Sequence, residues 1–212
     1  MAVSAEDVKR LREKTGLGVM DCKRALQEAG GEEAKAIEIL RKQGVKVAES
    51  KRSRAATEGV IASYVHVNNR VGAMVELACE TDFVARNEEF VRLARDLCLQ
   101  VVGLNPLAVS PEELPARVIE TQRAVFRQEA EGKPEHIVER IVQGKLEAYY
   151  QEVCLLRQPF IRDESEKQSV QDTIKAAVAK LGENIVVRRF CRFELGESAD
   201  EATSQGGASE EP

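Results

Sequence analysis

The chain has 212 residues, 43% hydrophobic and 32% charged, with a formal net charge of −5. That length buries one substantial core and leaves room for a small second module. Five of the acids, Glu197, Asp200, Glu201, Glu210 and Glu211, crowd residues 196–212; without them 31 acidic residues face 31 basic ones, so the body lacks the positive excess that binding DNA or RNA by counterion release requires.

Ser4 with Asp7 forms a capping pair, and Val8 and Leu11 set a helical stripe that stops at Thr15-Gly16-Leu17-Gly18. Met20, Cys22, Ala25, Leu26 and Ala29 supply the apolar positions of a second helix before Gly30-Gly31, and Ala34, Ile37, Ile39 and Leu40 mark a third, predicted to end at Gly44. Three short helices make a module of about 45 residues, small enough to need the surface it docks on. Residues 46–57 read as a helical or flexible connector, so the first predicted domain spans 1–56.

From Gly59 the period falls to two. Val60, Ala62, Tyr64 and His66 alternate before Asn68-Asn69, and Val71, Ala73, Val75 and Leu77 alternate after it, which predicts a hairpin pairing Val60 with Leu77 and Ala62 with Val75. Asn87 caps a helix carrying Phe90, Leu93, Ala94, Leu97, Cys98 and Val101. Ser110-Pro111-Glu112-Glu113 opens another, and Pro134 opens a third with Ile137, Ile141 and Leu146. Helical patterning returns from Ser169 to Gly182, and "ENIVVRRFCRFEL" reads as a strand able to join the hairpin. The predicted class is α+β: a helical module, a 57–195 core with a small antiparallel sheet covered by helices, and a disordered acidic tail at 196–212.

The cysteines, Cys22, Cys79, Cys98, Cys154 and Cys191, are odd in number and form no C-x-x-C pair, which predicts reduced thiols buried in a cytoplasmic protein. No basic start followed by an apolar core occurs at the beginning, and no run of ~18 apolar residues occurs anywhere, so no membrane span is expected. Phosphate-loop, nucleophile-elbow and zinc-helix motifs are absent. The two histidines read as structural (His66) and surface (His136), so no catalytic site, metal or cofactor is predicted.

One stretch asks for more than packing. "TDFVARN" at residues 81–87 joins a buried strand to a capped helix, where side chains project from a rigid frame. From composition alone Asp82 would cap the next turn while Phe83 tucked under the sheet. Together with "TGLGVMDCKRAL" at 15–26 and "GENIVVRRFCRFELGE" at 182–197, however, "ETDFVARN" resembles bacterial translation elongation factor Ts. "GKPEHIVERIVQGKLEAYYQEVCLLRQPF" at 132–160 resembles a fourth segment of that family.

The resemblance implies a guanine-nucleotide exchange factor for elongation factor Tu with no catalytic site and no bound nucleotide of its own. Thr81, Asp82, Phe83 and Val84 would enter the GTPase domain of the partner and displace its magnesium ion. The three-helix, UBA-like N-terminal module would dock on the same domain through Leu17, Gly18, Val19, Met20 and Lys23. Longer members carry two related core subdomains and this chain only one; the short form is a symmetric dimer, which would place the strand around 188–193, with Cys191, at the interface. In short-form members a cysteine of this motif can bridge the dimer, whereas a reducing compartment favours a free thiol. Read without the resemblance, the chain is a dimeric adaptor whose N-terminal module binds a helical or extended partner.

Overall fold

The computed structural model describes residues 3–165 and 167–197. Among these the order is α1 (Ala5–Thr15), α2 (Val19–Glu28), α3 (Glu33–Lys51), β1 (Glu58–Val65), β2 (Val71–Cys79), α4 (Asp82–Ala85), α5 (Glu88–Leu104), α6 (Ala116–Glu129), α7 (Glu135–Val153), α8 (Val170–Leu181) and β3 (Val186–Glu194). The α+β class is observed: the described residues form helices and one three-stranded sheet of order β1-β2-β3. None of the described helices is long and apolar enough to cross a membrane.

Two compact units emerge. The first comprises the residues up to Gly59, Ala78–Phe90 and Asp172–Val186; the second comprises Val60–Leu77, Val91–Gln171 and the residues from Val187 on.

In the first unit the N-terminal helices form as their caps dictate. Ser4 Oγ accepts from the Asp7 amide at 3.1 Å, and Gly16 ends α1 with φ +67°, the left-handed conformation that favours glycine. Val8, Leu11, Cys22, Ala25, Leu26, Ala36 and Leu40 make the module's core. The expected stop at Gly44 does not occur. Helix α3 continues to Lys51, and a Cβ on Gly44 would lie 3.3 Å from the Ala179 methyl, so this glycine serves a close approach of α8 and not a helix end.

In the second unit β1 and β2 form the predicted hairpin. The His66 amide donates to the Val71 carbonyl at 2.9 Å, which sets the expected register and turns Ala62, Ala73, Val75 and Leu77 inward, where they are buried. The turn is wider than two residues. Asn69 alone of the pair has positive φ, +52°, and its amide donates to the His66 carbonyl at 2.8 Å. Cys98 of α5 lies close to the Val75 backbone, and burial pushes its thiol up to about 11.

Strand β3 pairs with β2. The Leu195 amide donates to the Arg70 carbonyl at 2.7 Å, and Arg189 Nε donates to Glu76 Oε2 at 2.7 Å. Six residues apart on both strands, these contacts place Arg189, Cys191 and Phe193 on the outward face beside Glu76 and Met74. Cys191 is therefore half-buried, while the other four thiols are buried. Of the predicted tail, Gly196 and Glu197 belong to the described residues, and Glu197 Oε1 accepts from the buried Arg192 Nη1 at 2.5 Å; residues 198–212 lie outside them.

Candidate functional site

Strand β2 ends at Cys79, and the chain turns at Glu80-Thr81 into α4. Thr81 has extended backbone, φ −130° and ψ 157°, and its hydroxyl caps α4 by accepting from the Val84 amide at 3.5 Å. Cys79 beneath it is buried, its Sγ donating to the Thr81 carbonyl at 3.2 Å. Burial and then the nearby Glu183 carboxylate push that thiol up to about 11, which keeps it protonated and inert.

A single turn of helix holds one residue inward and the others outward. Ala85 is buried and Val84 half-buried, while Phe83 is 84% exposed. The expectation that Phe83 tucks under the sheet is thus overturned. A four-residue helix has no room to swing it back, because the Thr81 cap fixes the first turn and Ala85 takes the inward position. Asp82 is half-buried and pairs with Arg86 Nη2 at 2.8 Å, one turn along.

Three groups beyond the motif hold this corner. Glu183, just past α8, takes the Glu80 and Thr81 amides on Oε2 at 3.1 and 3.0 Å and the Thr81 hydroxyl on Oε1 at 2.6 Å. The Asn184 amide donates to Glu80 Oε1 at 2.6 Å, and Asn184 Nδ2 to the Arg54 carbonyl at 2.8 Å. Sequence reasoning missed Glu80, Glu183 and Asn184. The available signal was a Gly-Glu-Asn run opening an apolar strand, with Gly182 at φ +78°.

The other predicted contact stretch lies in the same compact unit. Gly16 turns the chain, Leu17 is half-buried against the module core, and Gly18 precedes α2 in extended conformation. Val19 is 47% and Met20 65% exposed, and Lys23 is exposed. Met20 is therefore no part of the module's core, contrary to its place among the apolar positions of α2. Lys180 packs over Gly16, where a Cβ would collide with its Cε and Nζ, and the same ammonium pairs with Glu89. Cys191 belongs to the other unit.

His66 accepts or donates a hydrogen bond with the Tyr64 hydroxyl at 3.1 Å on the inward side of the hairpin, and His136 is exposed. Among the described residues no group of three or more His, Cys, Asp or Glu side chains is gathered to hold a metal ion.

The sequence profile of the family described as Elongation factor TS matches residues 27–197. The protein named Elongation factor Ts of Oleidesulfovibrio alaskensis is 55% identical over 197 residues, covering 92% of this chain and 98% of the relative. Those of Thermodesulfovibrio yellowstonii and Thermotoga petrophila are each 50% identical over 202 and 201 residues, covering 95% of this chain and 100% of the relatives. The profile match takes in the exposed corner and the N-terminal module from Gln27 on.

Proposed function

Because the chain belongs to the elongation factor Ts family, we propose that it is the guanine-nucleotide exchange factor for elongation factor Tu in translation elongation, acting in the cytoplasm without a catalytic site, cofactor or nucleotide of its own. The observation that carries this reading is Phe83. An aromatic ring 84% exposed on a capped and clasped turn is a projecting wedge whose burial has to come from a partner.

In this reading Thr81, Asp82, Phe83 and Val84 enter the GTPase domain near its nucleotide. A magnesium ion bridging phosphate oxygens is the largest local charge holding the nucleotide, so moving its ligands loosens both. Burial of the Phe83 ring between partner helices supplies roughly 1.5–3 kcal/mol toward that distorted state. Asp82, held by Arg86 in the free protein, either orients the wedge or competes for the partner's hydrogen bonds. A thousandfold faster release needs about 4 kcal/mol, more than one ring provides. Leu17, Gly18, Val19, Met20 and Lys23 supply the rest by docking the 1–56 module on the same GTPase domain, while the 57–195 core carries the wedge.

The same reading makes the protein a two-fold dimer joined through the outward face of its sheet. Ile61 and Val65 of β1, Met74 of β2 and Phe193 of β3 are exposed there, Ile61 by 64% and Phe193 by 67%, and Cys191 lies among them as a free thiol. An unbacked apolar sheet face is what a second copy covers in a closed pairing.

Reciprocity tests the exchange reading. If the factor weakens GDP binding by some ratio, GDP weakens factor binding by the same ratio. Calorimetry should show the protein binding nucleotide-free elongation factor Tu more tightly than its magnesium-GDP form by at least tenfold, about 1.4 kcal/mol. Equal affinities would sink exchange and favour the dimeric adaptor, which ignores nucleotide state.

A further inference from the structure

Resting on the exchange reading above, we infer that Glu183 is a positioning residue for exchange: its carboxylate holds the Glu80-Thr81 corner so that α4 presents Asp82 and Phe83 in one fixed direction.

The contacts form a relay. Glu183 Oε2 accepts from the amides of Glu80 and Thr81 at 3.1 and 3.0 Å, just beyond the end of β2. Its other oxygen, Oε1, accepts from the Thr81 hydroxyl at 2.6 Å. That bond turns the hydroxyl proton toward Glu183 and leaves the oxygen lone pairs for the Val84 amide, which is the cap of α4. One carboxylate thereby fixes the strand exit, the rotamer of the cap and, through the cap, the helix that carries Phe83.

The carboxylate is itself held. Gly182 turns the chain at φ +78°, Lys51 Nζ donates to the Gly182 carbonyl, and the next residue, Asn184, is buried. The clasp is reciprocal: the Glu80 backbone donates to Glu183, and the Asn184 backbone donates to the Glu80 carboxylate at 2.6 Å. Arg54 also faces this carboxylate, its Nη1 lying 3.6 Å from Glu80 Oε2. All of these groups belong to one compact unit.

Packing does not explain the device. Of the four residues of α4, Ala85 alone is buried, so the clasp secures a turn that adds little to the core. Its effect falls on orientation. A wedge free to swivel must be ordered when it docks, and a displaced reacting group loses rate out of proportion to the displacement. Recruitment through Val19, Met20 and Lys23 does not pass through this corner. Loss of the clasp should therefore lower the rate at saturation and spare the concentration at which saturation is reached.

The test uses the full chain, with fluorescent GDP released from elongation factor Tu at rising factor concentration, for wild type, Glu183→Ala, Glu183→Gln, Thr81→Val and Phe83→Ala, each checked by thermal unfolding. Glu183→Ala should reduce the saturating rate about ten- to a hundredfold with a half-saturating concentration within about threefold of wild type. Glu183→Gln should recover most of the rate, because its carbonyl oxygen accepts both amides and its Nε2 donates to the Thr81 oxygen. Thr81→Val, which removes the relay's middle atom and keeps the side chain's shape, should lose rate as Glu183→Ala does; it carries the test if Glu183→Ala fails to fold. The inference is overturned if wild type accelerates release, Phe83→Ala does not, and both Glu183→Ala and Thr81→Val match wild type. It is also overturned if the glutamine variant recovers nothing, or if the loss falls on the half-saturating concentration. Failure of wild type to accelerate release removes the exchange reading first, and the positioning role with it.

Discussion

Phe83→Ala is expected to slow the factor-stimulated release of GDP by roughly ten- to a hundredfold, the equivalent of the ~1.5–3 kcal/mol that burying the ring in a partner supplies. The free protein should not register the change. The ring is 84% exposed, so its removal opens no cavity, and surface substitutions of this kind stay within about 0.5 kcal/mol. Unchanged thermal unfolding beside a collapsed rate is therefore the signature of a wedge. Phe90, seven positions on and wholly buried, is the internal contrast: its truncation would act on stability. A Phe83→Ala protein that matches wild type at every concentration would show that the exposed ring does not act on the partner.

The second large effect concerns the sheet face. Aspartate at both Ile61 and Phe193 sets carboxylates into an apolar contact, each costing roughly 3 kcal/mol when the charge leaves water without a partner. A two-fold interface presents each substitution twice. Even with only one of the two sites buried in the pairing, the penalty is roughly 6 kcal/mol, more than ten-thousandfold in the dimer constant. Both side chains are exposed on the single chain, so its fold should survive. Sedimentation under reducing conditions should give a dimer for wild type and a folded monomer for the double variant. A wild-type monomer, or a variant that stays paired, would contradict this interface. Cys191→Ser should leave the dimer intact under reducing conditions, where no disulfide can link the two copies.

Much of the fold was legible because it rests on local rules. The Ser4 cap, the helix stop at Thr15-Gly16 and the period-two alternation around Asn68-Asn69 act over a few residues, and each appears as read. Gly44 misled because a glycine ends a helix only where the backbone turns left-handed; here tertiary approach of Ala179 was the reason for it. Met20 was misassigned for a geometric reason visible afterwards. Cys22, Ala25, Leu26 and Ala29 follow helical spacing, whereas Met20 stands two positions before Cys22, on the opposite side of α2.

The candidate site divides the same way. Its projecting residues were reached through a motif in one continuous stretch. The clasp that aims them was not, because Glu183 meets Thr81 across 102 positions of sequence, and no periodicity links a carboxylate after α8 to a hydroxyl before α4. The family resemblance picked out Phe83, whose 84% exposure composition alone did not foresee, and tertiary contacts supply the mount of its helix.

The most direct measurement loads elongation factor Tu with a fluorescent GDP analogue, adds excess unlabelled nucleotide, and follows release with and without this protein at saturating concentration. The predicted result is release at least tenfold faster with the protein present, a barrier lower by about 1.4 kcal/mol or more. An unchanged rate at saturation would contradict the exchange function outright.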